Sequence, residues 1–375
     1  MPTGMSELRV ATAERAPGWR RVDSGRIPSL DGLRAISILF VIIGHAYATL
    51  PRLTGIPGAL MDGFTFIAGN GEMGVTVFFV LSGFLITTLL LKELRKTGKL
   101  SIKAFYIRRA FRIWPAFYLM LAVVVLLGVF RAIPLTVGEV VSAGLFFWNY
   151  YPHGATWFLG HTWSLAVEEQ FYLVWPLILK FLGVSRAAWF AAAVIAIEPA
   201  VRVANYALVP AMRSHIGIMG HTRADSLMIG ALAAILYAKP AFQHFVNRLF
   251  AWHLPLAGGC FLLLVNPFLE AKGRGGYMLS VGFLLQSLLI AAIMLWSIQN
   301  SDRWFGRMLN SRLAVHVGLI SYSLYLWQQI FLTPLNKVTG WFPLNLVCTF
   351  AVAECSYWFV ERSFLAWRKK FVPDA

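Results

Sequence analysis

Met73-Gly74-Val75-Thr76-Val77-Phe78-Phe79-Val80-Leu81-Ser82-Gly83-Phe84-Leu85-Ile86-Thr87-Thr88-Leu89-Leu90-Leu91 contains no charged side chain over 19 residues. As a helix it would reach about 28 Å, close to the thickness of a bilayer's hydrocarbon layer. Residues 113–130 and 277–301 are equally free of charge. Composition points the same way: 58% of the chain is hydrophobic, 13% is charged and mean hydropathy is +0.65. A soluble domain carries a charged fraction of about 25%. The fold class is therefore all-α, a polytopic transmembrane helical bundle. The short alternating segments of a membrane β-barrel are missing from the sequence.

Apolar spans are predicted at 30–49, 73–91, 112–130, 163–182, 186–204, 224–238, 253–269, 277–299, 313–334 and 342–360. Segment 135–150 is apolar but short and contains Glu139, so it either crosses or forms a partial, re-entrant helix. Basic residues mark the cytoplasmic side of a membrane protein. With ten crossings and the N-terminus inside, 25 of the 33 Lys and Arg are cytoplasmic and 8 are not. An eleventh crossing at 135–150 would change this to 20 and 13. Ten crossings with both termini cytoplasmic, in the inner membrane, is the expectation.

The net charge of +16 belongs to this pattern, because the basic residues cluster between apolar spans. Anionic lipid at the cytoplasmic surface attracts such loops. No zinc-finger, RNA-binding or basic-zipper signature accompanies the charge, so no nucleic-acid partner is expected. Residues 1–28 read as a basic cytoplasmic tail with Arg9, Arg15, Arg20, Arg21 and Arg26, lacking the apolar core of a signal peptide. Residues 29–364 read as the membrane domain and 365–375 as a basic cytoplasmic tail. Cys260, Cys348 and Cys355 have no ligand-like spacing and read as small apolar packing residues. No metal site is expected.

Arg34 and His45 are eleven residues apart within the first span. On a helix that separation is about three turns plus 20°, so both side chains share a face about 16 Å apart along the axis. Ionisable groups at membrane depth are costly and usually line a polar cavity or do chemistry. A neutral imidazole can take a proton from an alcohol, as acyl transfer to a hydroxyl requires. Arg109 and Arg112, three apart, also share a helix face. They suit an anion such as phosphate, or a cytoplasmic anchor beside an aromatic belt. Arg34 begins from the same leaflet and can join them.

Ser164, Glu168 and Tyr172 recur every four residues and form one polar stripe. Adjacent Glu168 and Glu169 point about 100° apart, so one should face a cavity and the other the interface. Asp225, at the outer start of a span, joins Glu169 and Tyr172 as an acceptor-pocket candidate. His221 and Asp225 match a His-x-x-x-Asp spacing of some soluble acyltransferases, a weak pattern alone. Ser82-Gly83 reads as a site of close helix packing rather than a nucleophile.

Together these blocks resemble the acyltransferase-3 family of integral-membrane acyltransferases. The resemblance is carried by Ser29–Arg34 with His45, by Phe78–Leu85, by Arg108–Pro115, by Trp163–Tyr172, by Asp225-Ser226-Leu227, and by Ser321-Tyr322-Ser323-Leu324-Tyr325-Leu326-Trp327. It implies transfer of an acyl group, commonly acetyl from acetyl-CoA, to a hydroxyl of a carbohydrate, glycolipid or small molecule. It also implies that Arg34 and His45 form the arginine–histidine motif, Arg109 and Arg112 the Arg-x-x-Arg motif, and Glu168 the motif glutamate. Some relatives carry a C-terminal extracytoplasmic esterase-like domain. None is visible in this sequence, so the bundle is expected to recognise or hand on the acylated product itself. The competing class is a transporter using the same residues as a substrate or proton path. Internal repeats, which mark many transporters, are not evident.

Overall fold

The computed structural model describes residues 27–49, 69–151, 156–249, 253–273 and 275–372. Residues 1–26 of the expected N-terminal tail, with its five arginines, lie outside the described residues, as do His153 and the last three residues. Every regular element among the described residues is helical. They run α1 (Leu30–Ala46), α2 (Gly71–Thr97), α3 (Ile102–Val129), α4 (Val137–Gly144), α5 (Thr162–Leu208), α6 (Ala224–Tyr237) and α7 (Pro240–Leu249). Then come α8 (Leu254–Gly273), α9 (Met278–Gln299), α10 (Arg312–Leu319), α11 (Ser321–Phe331) and α12 (Leu344–Cys355).

Five stretches are long and apolar enough to cross a membrane: Gly71–Thr97, Ile102–Val129, Trp157–Leu208, Leu254–Gly273 and Met278–Gln299. Helices α6 and α7, bent by 110°, make a sixth if taken as one broken span. The predicted spans 163–182 and 186–204 fall within one helical run, α5, broken at Gly183 (φ 76°, ψ 166°). Only glycine adopts that left-handed torsion without strain. The predicted span 313–334 is divided at Ile320 into α10 and α11, and the last continues from α12 through a π-helical turn to Arg368.

Segment 135–150 forms an eight-residue helix and a 3-10 turn, Trp148–Tyr150. Eight residues reach about 12 Å, too short to cross the hydrocarbon. Its Glu139 closes a capping box: Thr136 N–H donates to Glu139 Oε2 at 2.8 Å, and Glu139 N–H to Thr136 Oγ1 at 3.3 Å. The other carboxylate oxygen accepts from Thr156 N–H at 2.7 Å, so the charge ties loop backbone to the helix start.

Helix α2 is central, with 78% of its apolar window buried against 33% for α3 and 17% for α5. It packs chiefly on α1 and α6. The α2–α6 contact is backbone to backbone: a Cβ on Gly83 would overlap the Leu227 carbonyl, and one on Gly230 the Val80 carbonyl. The apolar side chains of α5 such as Phe181, Trp189 and Ile197 face outward, with Leu126 of α3 and Phe359 beyond α12. Such a surface suits hydrocarbon rather than water.

Candidate active site

A cleft of about 820 Å³, mouth included, opens where α1, α2, α3, α5 and α11 converge. Arg34 enters from α1, Arg109 and Arg112 from α3, and Glu168, Glu169 and Tyr172 from α5. Six of the eight residues singled out in the sequence therefore surround one space. Helix α2 supplies an apolar wall, Phe78 and Phe79, interrupted by the Ser82 hydroxyl.

Each charge is held by a particular neighbour. Arg34 lies 3.7 Å from Asp31 one turn earlier, and Arg112 lies 3.6 Å from Glu361. The Arg109 guanidinium stacks 4.8 Å from the Tyr172 ring centre, a favourable cation–π arrangement. Tyr172 donates its hydroxyl proton to Glu168 Oε2 at 2.9 Å, so the Ser82 hydroxyl donates to Tyr172. This three-member chain fixes Glu168 at the cleft wall. Both Glu168 and Glu169 line the cleft, whereas only one was expected to face it. Helices surround α5 widely enough that two side chains about 100° apart reach the same space. The buried Glu169 Oε1 has no hydrogen-bond partner.

Beyond the cleft's Ser164 and Tyr325 lies a second polar group. Tyr325 donates to the His161 carbonyl at 2.9 Å, and its hydroxyl lies 2.5 Å from that of Ser164. His161 Nδ1 is 2.7 Å from Gln329 Oε1, and His45 Nδ1 is 2.7 Å from Gln328 Oε1. Trp157 packs edge-on to the His45 ring at 5.1 Å. His45 thus belongs to this adjoining group and not to the lining of the arginine cleft.

Asp225 is elsewhere. It is fully buried and lies 2.7 Å from Arg202, which also approaches Glu198 at 3.9 Å. Arg223 reaches Glu72 at 3.3 Å and donates to Thr76 at 2.7 Å. A carboxylate engaged by a buried arginine is committed to the fold, and Asp225, expected in the acceptor pocket, does not line the arginine cleft. His221 does not face Asp225 either: its ring nitrogens lie 2.9 Å from Tyr150 and 2.9 Å from Asn205.

Sequence reasoning missed Glu361, which is 1% exposed, pairs with Arg112 and accepts from the Ser323 hydroxyl. A lone glutamate at the end of an apolar run was the available signal. It also missed His161, Gln328 and Gln329, whose contacts join residues far apart in the chain. No group of three or more His, Cys, Asp or Glu among the described residues converges as a metal set.

The acyltransferase domain family matches residues 27–359. The peptidoglycan O-acetyltransferase OatA of Listeria monocytogenes is 30% identical over 382 residues, covering 89% of this chain and 55% of that protein. The O-acetyltransferase OatA of Staphylococcus aureus is 28% identical over 362 residues, covering 89% and 56%. An inferred O-acetyltransferase of Staphylococcus aureus strain COL is 30% identical over 382 residues, covering 93% and 60%. The chain thus spans little more than half the length of these relatives. No solved structure matches it at a significant level.

Proposed function

Because the chain belongs to the acyltransferase-3 family, we propose that it is a membrane O-acyltransferase that moves an acetyl group from acetyl-CoA to a hydroxyl of a cell-surface carbohydrate or glycolipid. The observation that carries this reading is the cleft in which Arg34, Arg109 and Arg112 meet Glu168, Glu169 and Tyr172. Three guanidinium groups against two carboxylates suit a polyanionic donor, since arginine forks match phosphate oxygens. The names of the relatives favour acetyl as the acyl group and an acceptor of the peptidoglycan type.

In this reading acetyl-CoA enters from the cytoplasm with its phosphates at Arg109, Arg112 and Arg34. The thioester lies toward Ser164 and Tyr325, beside the histidines. His45 Nε2 takes the proton of the acceptor hydroxyl as its oxygen forms the new bond to the acetyl carbon. The carbon–sulfur bond then breaks, and the His45 imidazolium returns the proton to the departing thiolate. Glu168, held by Tyr172, contributes negative charge that orients the arginines on the donor. Ten crossings, with both termini in the cytoplasm and the bundle in the inner membrane, complete the proposal. Other acyl-CoA donors and small-molecule acceptors fit the same chemistry.

The test follows labelled acetyl-CoA in membranes containing the unaltered protein or His45→Ala, tracking label into carbohydrate and lipid fractions. His45-dependent label in one fraction supports the reading and identifies the acceptor class. Equal labelling with and without the imidazole would remove His45 as the base.

A further inference from the structure

The adjacent amides of Gln328 and Gln329 reach two histidines that are far apart in sequence. Both glutamines are buried in α11, at 0% and 4% exposure. Uncompensated amides in an apolar bundle are costly, so their contacts carry information. Consecutive helix positions point about 100° apart, which sends one side chain toward α1 and the other toward the start of α5.

Gln329 Oε1 meets two groups of the same residue: the His161 backbone N–H at 3.1 Å and the His161 Nδ1 at 2.7 Å. A backbone N–H only donates, so the glutamine atom there is its oxygen. That oxygen only accepts, so Nδ1 of His161 carries the hydrogen. Gln328 Oε1 takes the equivalent place beside Nδ1 of His45, at 2.7 Å. In His161 the nitrogen left to act as a base is therefore Nε2, and the matching placement of Gln328 points to the same tautomer at His45.

Two atoms in this group remain unsatisfied although buried: His161 Nε2, an acceptor, and Gln328 Nε2, a donor. The His161 side chain belongs to a residue only 3% exposed. A donor and an acceptor left open side by side complement a ligand with more than one hydroxyl: an oxygen can accept from Gln328 Nε2, and a hydroxyl other than the reacting one can donate to His161 Nε2. The group adjoins the cleft through Tyr325, which both lines the cleft and donates to the His161 carbonyl.

We infer that Gln328 and Gln329 are a positioning pair that holds His45 and His161 as Nδ1–H tautomers and presents their Nε2 atoms to a hydroxylated acceptor, His45 to the reacting hydroxyl and His161 to another. This assignment of the acceptor site rests on the acyl-transfer reading; the tautomer assignment stands apart from it. Gln328 acts through His45, and Gln329 through His161. His45 Nε2 receives the acceptor proton, and the resulting imidazolium keeps its Nδ1–H bonded to the Gln328 carbonyl.

The test is nitrogen-15 and carbon-13 NMR of full-length protein labelled at histidine in detergent micelles, with His45→Ala and His161→Ala assigning the two rings. Both should be Nδ1–H tautomers. Gln328→Met should shift only the His45 ring toward the Nε2–H form, and Gln329→Met only the His161 ring. Transfer by Gln328→Met should fall about 10–100-fold in kcat, part of what a positioned base contributes, with KM for acetyl-CoA unchanged. Gln328→Glu keeps an oxygen beside Nδ1, so it should restore the tautomer and most of the rate. An Nε2–H ring at His45 in the unaltered protein would overturn the inference. So would a Gln328→Met variant with an unchanged spectrum and unchanged kcat. The spectra require no substrate, so they decide the tautomers even if His45→Ala retains transfer and the acyl-transfer reading fails.

Discussion

The hydroxyls of Ser164 and Tyr325 stand 2.5 Å apart across the boundary between α5 and α11. Both residues line the arginine cleft, while Tyr325 also donates to the backbone of His161. The pair is thus a shared wall: three arginines lie on one side and two imidazoles on the other.

Tyr325→Phe should remove one donor to the His161 carbonyl, leaving the Ser164 hydroxyl at 3.2 Å, and loosen this wall. The expected cost is about 1 kcal/mol in stability, the net worth of an ordinary hydrogen bond. A thermal-unfolding comparison with Ser164→Ala and the double variant should show less-than-additive losses, because the two hydroxyls share one interaction.

Arg109→Ala should weaken acetyl-CoA. Hydrogen bonds to charged groups are worth about 1.5–3 kcal/mol, so KM for the donor should rise about 10–100-fold, with a smaller change in kcat. Arg109→Lys keeps charge but loses the planar fork, and should recover only part of the affinity. Donor-concentration series on the three proteins check this.

His45→Ala should lower transfer about 10²–10⁴-fold, the range for a positioned acid–base group. Equilibrium binding of acetyl-CoA to the same variant should be nearly unchanged, because His45 is not among the residues lining the cleft.

Asp225→Asn should act on the fold. It removes the charge beside fully buried Arg202, and breaking one side of such a pair costs about 3–5 kcal/mol. Yield of folded protein and unfolding temperature should drop. A stable Asp225→Asn protein with a raised acceptor KM would instead support a place for Asp225 in the acceptor pocket.

Gly83→Ala should also destabilise, by about 1–3 kcal/mol or more, since the added methyl meets the Leu227 carbonyl and backbone must yield. Gly259→Ala is the control, because nothing lies within 4 Å of the Cβ it would add. Unfolding in detergent separates the two.

What was legible in the sequence was mostly local periodicity. Ser164, Glu168 and Tyr172 share a helix face because they are four apart, and Arg109 and Arg112 because they are three apart. Whether 135–150 crosses stayed open, because the Thr136–Glu139 capping box marks only where a helix starts and not how far it runs. Long-range pairing was not legible. A carboxylate at a helix start reads alike whether free or held, and Arg202, which holds Asp225, arrives from another helix. Likewise nothing near Arg112 announces Glu361, and nothing near His161 announces Gln329. Glu168 and Glu169, about 100° apart, would face different surroundings if α5 had one inner face. The neighbouring helices wrap more of it than that.

Helix α5 spans 47 residues, and as an unbroken rod it would be about 70 Å long, more than twice the hydrocarbon thickness. Its interruption at Gly183 occurs where no atom lies within 4 Å of a would-be Cβ. Space therefore does not select the residue there; handedness does. The one amino acid that is its own mirror image permits a torsion that the chiral residues resist. A D-alanine introduced at that point should fit the bend, while L-alanine, with the same volume and the same atoms, should oppose it.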